Sequence, residues 1–138
     1  MKIHQYSILC ASIMGQEAAI EALERGETSM LEMKREYELR RNYITRSLNE
    51  IGLECQKPRG AFYVFPNISA TGLTGQEFSL RLLKEKRVAV VPGTAFGPSG
   101  EGYVRCSYAT GLEQIKVAMQ RISEFCTELG VGQHSAAA

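Results

Sequence analysis

Residues 88–108 read VAVVPGTAFGPSGEGYVRCSY. A β-branched apolar run enters a loop rich in Gly and Pro. A second run leaves it, with Arg105 set between Val104 and Cys106. Alternation at a period of two puts Tyr103, Arg105 and Ser107 on one face of a strand over Tyr103–Tyr108, and Val104, Cys106 and Tyr108 on the other. An arginine turned into a core costs several kcal/mol unless it is paired. Two readings of Arg105 therefore stand. One is a cross-strand ion pair or plain exposure. The other is a rigid guanidinium offered to an anion, since arginine binds a carboxylate through two parallel hydrogen bonds and a strand holds it better than a loop. The glycines of GTAFGPSGEG fit neither the Walker pattern nor the dinucleotide fingerprint, so the loop reads as a flexible turn rather than a phosphate cradle.

Outward from this stretch the chain reads as a small α/β unit, an α+β sandwich with three to four strands and helices packed on one face. Upstream, MGQEAAIEALE (14–24) is rich in helix formers and stops at Gly26. A long helix follows, with Thr28 or Ser29 as cap and Ser29 and Glu32 spaced for a capping box. Its stripe is Met30, Met33, Tyr37, Ile44, Leu48 and Ile51, and Gly52 ends it. Strands are expected at Leu53–Gln56, Ala61–Phe65 and Val88–Val91. Thr74 and Glu77 are spaced to cap a helix that turns Phe78, Leu82 and Leu83 inward, and Thr110 with Glu113 would cap the last one. That last helix aligns Ile115, Ala118, Met119, Ile122, Phe125, Cys126 and Leu129, and Gly130 ends it.

The composition excludes several function classes. Sixteen Lys+Arg against fifteen Asp+Glu leave a formal charge of +1, which gives no bulk attraction for nucleic acid or an anionic membrane. No apolar stretch reaches membrane-spanning length, and the start MKIHQYSILCASIMG lacks a good cleavage site for a signal peptide. Cys10, Cys55, Cys106 and Cys126 are far apart in apolar contexts, and read as reduced buried thiols of a cytoplasmic protein. His4 and His134 lie near opposite ends, so no metal site is expected.

The runs GAFYVFPNI (60–68), VAVVPGTAFG (88–97) and YVRCSYA (103–109), followed by an amphipathic helix, resemble the C-terminal, small domain of class I/II aminotransferases. These are fold-type-I enzymes that use pyridoxal 5′-phosphate. KIHQYSILCASIMGQEAAIEAL (2–23) resembles the segment leading into that domain, so the likeness covers about residues 2–129.

The resemblance implies an enzyme moving an amino group between an amino acid and a 2-oxo acid, and a homodimer. Arg105 matches the arginine that grips the substrate α-carboxylate. Phe96 and Tyr63 look like wall positions near the cleft, with plain packing an equal alternative. Tyr6 and Ser7 match a stretch near the active site of the neighbouring subunit. The family's Schiff-base lysine sits in a Ser-x-x-Lys context before the point matching Lys2, and this sequence holds no such context.

The expectation is therefore a fragment, inactive alone and without bound cofactor, lacking its N-terminal large domain. Residues 1–26 would be a remnant of the connecting region, 27–130 the small domain and 131–138 a disordered tail. A C–S β-lyase of the same scaffold, the cofactor-binding module of a transcription regulator and a non-catalytic interaction domain are the rival readings.

Overall fold

A computed structural model describes residues 2–7 and 10–131, without the side chains of residues 2, 4 and 5. His134 and the expected tail from 132 onward lie outside the described residues, as does the His4 side chain. The chain divides into two compact units, 1–36 and 37–138.

The first unit holds α1 (Lys2–Ser7), α2 (Ile13–Arg25) and the start of α3 (Glu27–Ile51). Ser12 caps α2 by accepting from the Gly15 N–H at 3.2 Å, and Gly26 closes it. The Ser29–Glu32 box does not form, because α3 starts at Glu27, directly after Gly26, and Ser29 is already inside the helix. Met30 and Met33 are exposed, unlike Ile44 and Leu48 further along their stripe. Cys10 is exposed too, which corrects the expectation of four buried thiols.

The second unit continues with β1 (Tyr63–Val64), α4 (Gly75–Lys86), β2 (Val91–Pro92), β3 (Val104–Ser107) and α5 (Leu112–Glu128). The sheet is antiparallel in the order β1-β3-β2, so β3 is central. Val64, Val104 and Cys106 face a core built with Ile44 and Leu48 of α3, Phe78 and Leu82 of α4, and Ile115, Ile122 and Phe125 of α5. All three helices thus contribute to one face of the sheet. Val131 also joins this core.

Several local expectations are corrected. Leu53–Gln56 is not a strand, because the Asn49 side chain takes both backbone groups of Cys55, at 3.0 and 2.9 Å. The expected Ala61–Phe65 strand shrinks to Tyr63–Val64, since Ala61 lies at φ 60°, outside strand geometry. The third strand pairs only from Val91. Leu83 is exposed, one residue round the helix from buried Leu82. The Thr110–Glu113 box is absent: Gly111 begins α5 without a side-chain cap, and Glu113 pairs instead with Lys116 at 2.7 Å. The Thr74–Glu77 box does form, in both directions.

Candidate functional site

Helices cover one face of the sheet, and the opposite face carries the candidate site. The register pairs Tyr63 with Ser107 and Val91 with Arg105, so these four residues share that second face. Arg105 is half-buried at its centre. Its Cζ lies 4.3 Å from the centroid of the Tyr63 ring and 4.4 Å from that of Phe96. The guanidinium thus contacts both rings. No acidic side chain among the described residues pairs with Arg105, and its N–H groups donate no hydrogen bond there. The cross-strand ion pair considered for it is thus absent. The cation lies over both ring faces, and its N–H donors are left unspent among the described residues.

Each ring is placed by its own backbone device. Tyr63 follows the left-handed turn at Ala61. Tyr108 secures that turn, its hydroxyl donating to the Ala61 carbonyl at 2.8 Å and its N–H to Phe62 at 2.9 Å. Phe96 ends a tight 3-10 turn, Gly93–Phe96, followed by a second, Pro98–Gly100. Gly93 and Gly100 meet backbone to backbone, and a Cβ on either would collide with the other's carbonyl. The loop expected to be a flexible turn is therefore a packed double turn. Phe65 meets Phe96 edge-on at 5.6 Å and lies 6.4 Å from Tyr103.

Tyr63, Phe65, Phe96 and Tyr103 wall a cleft of about 740 Å³, with Glu54, Lys57 and Arg59 also on its surface. Arg105 is not a lining residue; it adjoins the cleft through its two flanking rings. Of the positions singled out from sequence, Arg105, Tyr63 and Phe96 come together. Tyr6 and Ser7 are exposed in α1, in the other unit, and do not line this cleft. Phe65 was missed, although its phase with Tyr63 at a period of two could have found it. Lys57 and Arg59 carry no pattern that distinguishes them from ordinary loop charges.

Thiol chemistry is poorly served here. Cys106, on the helix-covered face of β3, is pushed up to about 12 by burial, and burial also raises Cys55. Both remain protonated and unreactive near neutrality. No metal-binding group of His, Cys, Asp or Glu occurs among the described residues.

Comparison with known proteins gives this arginine and its aromatic cleft a setting. The family model for class I and II aminotransferases matches residues 1–122, and the chain belongs to that family. It is 48% identical over 130 residues to aromatic-amino-acid aminotransferase 2 of Thermococcus litoralis, covering 93% of this chain and 33% of that protein. The same identity and the same shares hold for an aspartate aminotransferase of Pyrococcus abyssi. Its backbone superposes on the crystal structure of an aromatic aminotransferase from Pyrococcus horikoshii with a TM-score of 0.87 and 49% identity, covering 92% of this chain and 34% of that one. The chain thus spans about a third of the length of the relatives it matches.

The family implies pyridoxal phosphate, and the described residues do not form its site. Lys86 and Lys116 are tied to Glu128 and Glu113, and Lys34 and Lys84 are exposed on helices. Lys57 reaches the cleft wall, but in an exposed loop without the Ser-x-x-Lys setting.

Proposed function

We propose that the whole protein is a pyridoxal-phosphate-dependent aminotransferase, exchanging an amino group between an amino acid and a 2-oxo acid. In it, Arg105 grips the substrate α-carboxylate. The observation that carries this reading is a half-buried arginine on the central strand, between two aromatic side chains, with no acidic partner and no N–H hydrogen bond among the described residues. Every amino donor and every 2-oxo acid acceptor bears that carboxylate. One fixed two-pronged clamp therefore serves both halves of the exchange and orients Cα. Tyr63 and Phe96 flank the clamp and form cleft wall. Residues 27–130 act as the small domain, and residues 1–26 lead into it from a large domain that supplies the lysine and most cofactor contacts. This chain alone is then inactive.

By the same reading the enzyme is a cytoplasmic homodimer, with Tyr6 and Ser7 near the neighbouring subunit's site. The free thiols at Cys55, Cys106 and Cys126 agree with a reducing compartment. The named aminotransferases among its relatives favour amino transfer over the β-lyase. The test is Arg105→Lys in the full-length enzyme. KM should rise at least about tenfold for amino acid and oxo acid alike, because an ammonium cannot reproduce the planar fork. Unchanged kinetics would remove the assignment.

A further inference from the structure

Arg105 is held by rings and not by acids, and the difference has a consequence for binding. An aspartate or glutamate would orient the guanidinium by occupying its N–H groups, and would then compete with an incoming carboxylate. Aromatic rings hold a cation through its faces, while a carboxylate binds along its edge. The two interactions use different parts of the same group, so one can prepare the other. The geometry points to Tyr63 and Phe96 as positioning residues, fixing the plane of the Arg105 guanidinium so that its edge is presented to a two-oxygen anion. This rests on the reading of Arg105 as the carboxylate clamp.

The two rings are set independently. Tyr63 comes from β1, after the turn that Tyr108 secures through Ala61. Phe96 comes from the double turn that Gly93 and Gly100 close. They approach the guanidinium at nearly equal distances, 4.3 and 4.4 Å. An arginine side chain has much rotamer freedom to lose on binding, and a cation already held between two walls loses less at that moment. Neither ring needs a polar atom for this role, so a phenylalanine should serve in place of Tyr63.

The experiment uses the full-length holoenzyme and single-turnover half-reactions. The probes are whichever standard L-amino acid reacts fastest and the amine formed from it by decarboxylation. Phe96→Leu and Tyr63→Leu should each lower kcat/KM for the amino acid about five- to tenfold, the scale of one cation–π contact. Both should lower it clearly less for the amine than for the amino acid, and Tyr63→Phe should restore near-normal kinetics. Arg105→Lys should cost less in the Phe96→Leu background than in the wild type. Equal losses on amino acid and amine would show a general structural role and overturn the proposal. So would Leu variants that react normally while Arg105→Lys is impaired. If Arg105→Lys itself leaves the amino acid unaffected, the clamp reading fails, and the ring proposal falls with it.

Discussion

Residues 37–131 enclose a core in which Leu48, Ile68, Leu82 and Phe125 have no exposed surface, while no described residue of 1–36 is buried. Yet the first region is not short of apolar side chains. Met14 is 80% exposed and Leu23 89% exposed, on a well-capped helix. Helix propensity and caps are local properties, whereas burial needs a second surface. The second region supplies its own surfaces, three helices against one sheet face. The first displays apolar side chains that none of its described residues covers. One unit thus buries its apolar side chains within itself, and the described residues of the other do not.

The contrast breaks most easily in the core. Phe125→Ala should destabilise the chain by about 3–5 kcal/mol, and Leu23→Ala should stay within about 0.5 kcal/mol, in urea unfolding of this chain. Comparable losses at both positions would show that the first unit is packed after all. Next comes the loop that carries Phe96. Gly93→Ala drives a methyl group into the Gly100 carbonyl, and should cost about 1–3 kcal/mol by thermal unfolding. A neutral result would mean the double turn is not the rigid support described.

Smaller again is the cap of α4, where Thr74→Ala should cost about 1 kcal/mol. The Thr74 N–H and hydroxyl hold the Glu77 carboxyl below its ordinary value. The contribution of Glu77 is therefore present above about pH 4.5 and lost as pH falls through the folded-state value. Thr74→Ala should flatten that acid limb of the stability profile.

The mildest probe is chemical. At pH 8 iodoacetamide should label Cys10 of the native chain and spare Cys55, Cys106 and Cys126 until urea is added. Because burial lifts Cys106 from 9.0 to about 12, folding stability is retained below pH 9 and falls as pH rises toward 12. Labelling of all four thiols without denaturant would remove the distinction between the units.

The legible parts of the sequence were those in which neighbours decide. The Thr74–Glu77 box needs only residues three apart, and alternation along 103–108 put Arg105 on the face opposite Val104 and Cys106. Illegible parts depend on residues that fold back. Asn49 takes the backbone groups that would have made Leu53–Gln56 a strand. Ala61 enters the left-handed region with a carbonyl bond from a tyrosine 47 residues away. The site was half legible. The resemblance named Arg105, Tyr63 and Phe96 one by one, but the arrangement of two rings on one cation arises only when β1, the 93–96 turn and β3 come together. The resemblance could suggest what Arg105 holds, not what holds Arg105.

The central claim is that Arg105 is a carboxylate clamp presented edge-on between two rings. A crystal structure of the full-length enzyme with a bound monocarboxylate analogue of its substrate tests it directly. Both carboxylate oxygens should lie about 2.7–2.9 Å from Arg105 nitrogens, in the guanidinium plane, with Tyr63 and Phe96 still on its faces. A carboxylate bound by Lys57 or Arg59 instead, with Arg105 turned away from it, would contradict the claim.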